Sequence, residues 1–455
     1  MNQAAASTAL NDSSMGGAHD LSDTDKRTVL ARITEEEVVQ VATDLVNIPS
    51  PTGSERRVAE YVCDFYERNG IRAVRQEIGE ERMNAVGIIK GTGGGVSLSF
   101  NGHMDVPYSG DEEDLLYMSK ALFDRPAHKP AAFVKDGYLC GLGIGNMKAS
   151  LAALLVALKA LKSSGFAIKG DIISAAVCGE IGRTPVGRFQ GLKYEGGGFG
   201  ARYLVTHGFH SDYAICVDNS GLKLTWVQPG IMYFHVTVYG NPGGAWATGA
   251  ANNRATSQNA VLKMQPAIDA IERWAADYHK KSTYECAGGT VKPTASITSI
   301  EAGTPYKASM RPGVCTVNMI AMIPPGTKPL AVLRDVKRYV DESGVEADVE
   351  MHQAHLGYEA QGVDGLVAAA RGSYREVFGK DVEICDPPYC SVWTDTNTYN
   401  QNGIPCIKLG LGLSAEDRLK VGNDAYDMHP IEAMVMGSKL YARLALDICN
   451  RSTLG

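Results

Sequence analysis

The ten cysteines, at positions 63, 140, 178, 216, 286, 315, 385, 390, 406 and 449, include no C-x-x-C pair. Thiols scattered in this way form neither a zinc knuckle nor a recognisable disulfide framework, so they read as reduced, mostly buried side chains of a cytoplasmic protein. No run of lysine and arginine stands out, and the formal net charge is -7. That excludes nucleic acid or an anionic membrane surface as the main partner. No apolar stretch is expected to reach the length of a membrane span. The first 30 residues lack both a basic start and a continuous apolar core, so they are not expected to be a secretory signal. Rich in Ala, Ser and Asp, residues 1–30 read instead as a disordered arm.

What remains is an ordinary globular composition, 44% hydrophobic and 21% charged, spread over 455 residues. A chain of that length exceeds one ordinary core and implies two domains. From residue 35 helical and strand patterns alternate. Glu35 to Asn47 and Glu55 to Asn69 are amphipathic at helical spacing, and the second stops at Gly70, a natural C-cap. Val96 to Phe100, Asp171 to Cys178 and Tyr213 to Val217 are short apolar strands, and Met147 to Leu161 is an Ala/Leu helix behind a glycine-rich loop. The rhythm predicts an α/β fold with a mixed, largely parallel sheet and functional loops at the strand ends. Between 221 and 350 it changes to strand, helix, strand, strand, helix, strand, the order of a ferredoxin-like α+β unit. The first rhythm then returns. Residues 31–220 and 351–455 therefore form a discontinuous catalytic domain, with 221–350 inserted as a dimerisation or lid domain.

Residues of the metal-ligand type gather at strand ends. His103-Met104-Asp105 follows the first apolar strand, and a carboxylate two residues from a histidine is a usual way to orient a ligating imidazole. Asn146 lies in the Gly143 to Lys148 turn at a helix start, Glu180 follows the strand ending at Cys178, Asp218 follows Val217, and His429 comes late. Each position alone has a bland structural reading; the ordered set is specific.

Over residues 35–455 the chain resembles the dinuclear-zinc deacylases and exopeptidases, the acetylornithine deacetylase, desuccinylase, aminoacylase and glutamate carboxypeptidase type. The resemblance rests on Ile48 to Glu55, Gly102 to Val106, the Asn146-Met147-Lys148 turn, Asp212 to Asp218 and Asn402 to Pro405. It implies that His103 and Asp218 bind one metal, that an aspartate at the position of Asn146 bridges two, and that a Glu-Glu pair supplies a general base and a second-metal ligand. It also implies that His429 binds the second metal.

The departures from that pattern carry information. The bridge is Asn146. The Glu-Glu pair is broken: spacing from Asn146 makes Glu180 the base and puts Ile181 at the ligand position, whereas a one-residue slip would make Glu180 the ligand. The inserted domain's histidine, which polarises the scissile carbonyl, has no counterpart in Gly240 to Trp246, and a substrate-binding arginine is replaced within Ile320-Ala321-Met322. Two divalent ions about 3.5–4 Å apart need an anionic bridge against their repulsion. The consistent expectation is one exchangeable divalent ion per chain, Mn2+ or Zn2+ and also Co2+, held by His103, Asp218 and the Asn146 amide oxygen, with Asp105 and Glu180 as catalytic residues.

Glu180 beside a metal-activated water points to hydrolysis of a C–N bond. A branch of the family that deaminates 5-nitroanthranilate to 5-nitrosalicylate is similar in keeping the base without the oxyanion histidine. Arg183 is then a candidate for the substrate carboxylate, and His429 a remnant of the second site or a substrate contact. The expected partner is a small aromatic or acyl amine with a carboxylate, in a homodimer or higher homo-oligomer. An N-acyl amino acid deacylase is the enzymatic alternative, and an inactive binding or assembly protein the alternative of another class.

Overall fold

The computed structural model describes residues 21–246 and 258–454. Its largest sheet has six strands in the order Arg72–Gly79, Arg82–Ile89, Ile172–Val177, Leu98–His103, Tyr213–Cys216 and Cys406–Lys408. The last four run parallel; the first two form an antiparallel hairpin joined to them. This is the mixed, largely parallel sheet expected, with the hairpin as an addition that the alternation did not announce.

Both faces of the sheet are covered, which is why its central strands read as unbroken apolar runs. Helices Glu35–Asn47, Ala149–Ser164 and Ile431–Cys449 enclose the main core on one face, with Leu98, Phe100 and Ile172. Ala201, Leu204 and Tyr399 close the other face over Val86, Ile173 and Val177. The first of these helices begins where the Thr34 hydroxyl accepts from Glu37 N, satisfying one of the unpaired N–H groups of its first turn. Segment Ile144–Ser164 is long and apolar enough to span a membrane, contrary to the expectation that none is, but 89% of its apolar window is buried in the protein. It is a core helix.

The expected arm needs a second correction. Residues 1–20 lie outside the described residues, but Asp23–Leu30 is a helix with a Ser22/Asp25 capping box. Val29 is fully buried against the main core, and Lys26 Nζ lies 2.7 Å from Asp447 Oδ1. One buried apolar side chain and a shielded ion pair tie this segment down although its composition is polar.

Strands Ala295–Ala302, Val314–Ile323, Gly230–Tyr239 and Ala347–His355 form, in that order, a four-stranded antiparallel sheet. Helices Ala260–Lys281 and Pro329–Glu342 lie on one face, around Trp274, Phe234, Val317 and Val336. The sequence pattern predicts the first of these helices over Ser257 to Tyr278; Ser257 itself lies outside the described residues. Period-two alternation divides the Gly230–Tyr239 strand cleanly: Met232, Phe234, Val236 and Val238 enter this core, while Ile231 and Tyr233 face away and pack with Trp393, Ile320 and Met322.

Candidate active site

His103 ends its strand, and Asp105 ties that end to the neighbouring strand's exit. Both residues are buried. The His103 ring nitrogen Nδ1 lies 2.9 Å from the Asp105 carbonyl oxygen, which only accepts, so Nδ1 carries the proton and Nε2 faces the cleft. The Asp105 carboxylate accepts from Glu180 N and Ile181 N, each at 3.0 Å, and from the Thr52 hydroxyl at 2.8 Å. Asp105 therefore sets the position of both His103 and the Glu180 backbone. Glu180 Oε2 lies 3.6 Å from His103 Nε2, and that buried nitrogen has no hydrogen-bond partner.

Burial raises the Glu180 carboxyl well above the ordinary range; Asp218, Asp395 and Asp105 add to the rise, and His103 opposes it. His103 is buried too, which by itself disfavours its charge, but Glu180, Asp105 and Asp218 overcome this and lift it to about 10. Asp395 is pushed up to about 7, chiefly by burial. Sequence reasoning missed Asp395. An aspartate just before helix Thr396–Gln401, distant in sequence from Glu180, reads as a helix-start residue. Instead, its Oδ2 accepts from Asn101 Nδ2 at 2.9 Å, and its buried Oδ1 has no partner.

Asn146 sits in the Ile144–Lys148 turn beside this cluster. Its Oδ1 accepts from Asn219 Nδ2 at 3.4 Å, and Asp218 Oδ1 accepts from Asn219 N at 2.6 Å, so one residue links the two expected ligands. Lys148 is fully buried and donates to Leu45 O and Ile48 O, which fastens the turn to the end of the Glu35–Asn47 helix.

Two further expected site residues have other hydrogen-bond partners. His429 lies on Met428–Pro430, a strand paired with Tyr138–Cys140; its Nδ1 bonds to Pro430 O at 3.1 Å, and Nε2 is buried and unpartnered. Burial lowers it to about 4, and Asp417, not the Glu180 cluster, is the carboxylate acting on it. Arg183 spends its guanidinium on Thr52 O and Lys193 O. It staples the turn after Glu180 and leaves the carboxylate role without an occupant.

Among the described residues no three His, Cys, Asp or Glu side chains form a closed cage for a metal. A divalent ion nevertheless fits the donor set. Four buried acids surround one imidazole, and His103 Nε2 and Asp395 Oδ1 face this charge excess with no partner. Buried charge of one sign is costly without a counter-ion. A concavity of about 470 Å³ lined by Lys223, Tyr389 and Arg418 lies elsewhere and contains none of these groups.

Known proteins share the fold and parts of the sequence. Residues 99–447 match the model of "Peptidase family M20/M25/M40". Among curated proteins, the chain is 26% identical over 195 residues to the N-formyl-4-amino-5-aminomethyl-2-methylpyrimidine deformylase of Bacillus subtilis, covering 42% of this chain and 40% of that one. It is 32% identical over 148 residues to the Probable succinyl-diaminopimelate desuccinylase of Staphylococcus epidermidis, covering 32% and 34%. The matched segments thus span well under half of those relatives. In fold, human carnosine dipeptidase 1 aligns with TM-score 0.66 at 16% identity, over 94% of this chain and 100% of that one. The di-peptidase Dug1p of Saccharomyces cerevisiae aligns with TM-score 0.67 at 13% identity, over 94% and 99%. With its family model matched over most of the chain, this protein belongs to peptidase family M20/M25/M40.

Proposed function

We propose that the chain is a metal-dependent hydrolase that cleaves a C–N bond with water, Glu180 serving as general base. The observation that carries this reading is the Glu180 carboxyl, buried and raised, 3.6 Å from an unpartnered His103 Nε2 and positioned through its own backbone by Asp105. A carboxyl raised above the ordinary carboxylate range suits a group that takes a proton and later returns it. Glu180 accepts the proton of the attacking water and delivers it to the leaving nitrogen. His103 and Asp218, with the Asn146 amide oxygen, would hold one divalent ion, Mn2+, Zn2+ or Co2+, which when bound would supply Lewis-acid charge beside Glu180. The backbone at Gly179 supports Glu180 as the base: a Cβ there would meet Arg82 Nη2 at 2.2 Å, so the slipped alignment would put its missing base against a buried guanidinium.

On the substrate, the apolar wall of Ile231, Ile320 and Met322 beside Trp393 supports an aromatic or otherwise apolar body. It favours the finer reading, hydrolytic deamination of an aromatic amine such as 5-nitroanthranilate. Amide deacylation is the second reading, supported by relatives named as a deformylase and a desuccinylase. Chelator-sensitive turnover measured on anthranilate-type and N-acyl substrates separates the two, and turnover on neither refutes the proposal in favour of a binding protein.

Metal content tests the ligand set separately. Elemental analysis after dialysis should find one weakly held ion per chain, lost in both His103→Ala and Asp218→Ala but kept in His429→Ala. Two tightly held ions in the native chain would contradict the single-site reading. The inserted sheet is also proposed to pair two chains, since its outer strand Ala295–Ala302 is bonded along one edge only among the described residues and is largely exposed. Sedimentation should show a dimer at micromolar protein; a monomer throughout would remove that proposal.

A further inference from the structure

Tyr233, from the inserted sheet, packs over the turn that follows Glu180. A Cβ on Gly182 would lie 2.6 Å from the Tyr233 hydroxyl, and one on Gly197 would lie 3.7 Å from it. Tyr233 is 7% exposed, yet its hydroxyl has no hydrogen-bond partner. The same is true of Trp393 Nε1 on a ring that is 6% exposed and packs against Tyr233. Glu180 and Arg202 are the charged groups acting on the Tyr233 hydroxyl. Arg202 donates to Gly197 O, to Gly196 O at 3.4 Å and to His355 Nε2 at 3.4 Å, and among the described residues no carboxylate lies within ion-pair distance of it.

An unmatched phenol, an unmatched indole and a guanidinium that Asp395 and Glu195 reach only beyond ion-pair distance are thus gathered near the catalytic base. A buried donor without an acceptor is costly, and native interiors seldom leave such groups unpaired without a functional reason. All three are donors and one is a cation, so the missing group is an anionic acceptor.

We propose that Tyr233, Trp393 and Arg202 bind a carboxylate of the substrate, holding an apolar or aromatic acid with its reactive nitrogen toward Glu180. This rests on the hydrolase reading for the reaction but not for the binding. Tyr233 is well suited because strand alternation sends Ile231 and Tyr233 to the cleft side, where Ile320 and Met322 complete the apolar wall. The site takes over the carboxylate role for which Arg183 is not free.

The test is calorimetric binding of benzoate and of benzamide, its neutral counterpart, to the metal-loaded full chain. Benzoate should bind at least about tenfold more tightly than benzamide, since hydrogen bonds to a charged group exceed neutral ones by this order. Tyr233→Phe, which keeps the packed ring, should weaken benzoate about tenfold. Arg202→Met should bring it to the benzamide level, with Arg202→Lys intermediate. Arg338→Met, on the exposed face of the Pro329–Glu342 helix, should leave it unchanged. Equal affinity of the native chain for the two probes, or benzoate binding that survives both Tyr233→Phe and Arg202→Met, would overturn the assignment. A chain that binds benzoate through these residues yet hydrolyses nothing would remove the hydrolase reading and leave the carboxylate site standing.

Discussion

Glu180→Gln should reduce turnover by about 10²–10⁴-fold while leaving the metal content unchanged, the usual worth of a positioned proton acceptor. The substitution is nearly isosteric, and Glu180 is fixed by its backbone N–H to Asp105 rather than by its carboxyl, so the turn should persist. If Glu180 were instead a metal ligand, occupancy would fall together with rate. Measuring both on one sample separates these roles, and unimpaired turnover would sink the mechanism. Asn146→Asp is the complementary case: it restores an anionic bridge, but Ile181 still supplies no carboxylate, so single-ion affinity should rise without a second ion.

Arg82→Met should be the most destabilising single change, by about 3–5 kcal/mol, the penalty for leaving one member of a buried ion pair uncompensated. Arg82 is 2% exposed and Glu55 fully buried; the guanidinium Nη2 and Nε lie 2.8 and 3.0 Å from the Glu55 carboxylate. Arg82 also donates to Leu192 O and Glu195 O, each at 2.7 Å. It thereby anchors the segment leading into Gly196–Gly198, of which Gly198 passes beneath Trp393 and Asp395. Activity should fall with stability even below the melting transition. Thermal unfolding of Arg82→Met beside Arg183→Met, whose bonds are to backbone carbonyls only, provides the comparison. A melting temperature within 1 °C of the native chain's (an arbitrary threshold of ~1 °C, below the several-degree shift expected from such a loss) would show that the pair contributes nothing.

Much of the site was legible because its residues obey local rules. His103 and Asp105 are two positions apart at a strand end, Glu180 follows a strand of six buried residues, and Asp218 follows another. Parallel strands bring their exits to one edge, so residues placed there by pattern alone come together. Asp395, Tyr233, Trp393 and Arg202 follow no such rule. They come from a helix start, the cleft face of a second sheet, an apolar loop position and a helix, and each has an ordinary structural reading in its own neighbourhood. Arg183 shows the reverse: its closeness to Glu180 in sequence suggested substrate contact, but its guanidinium turns back to Thr52.

The sequence by itself determined the class of the fold, the ferredoxin-like order of the insertion and the departures at Asn146 and Ile181, because periodicity and residue chemistry are local properties. Only the tertiary structure decided which polar groups are left without partners, and therefore where charge must be supplied from outside. Whether a donor is satisfied depends on atoms brought near by packing, not by chain order. His103 Nε2, Asp395 Oδ1, the Tyr233 hydroxyl and Trp393 Nε1 are unpaired in this fold because packing buries them between elements separated by up to about three hundred residues of chain without supplying a protein partner.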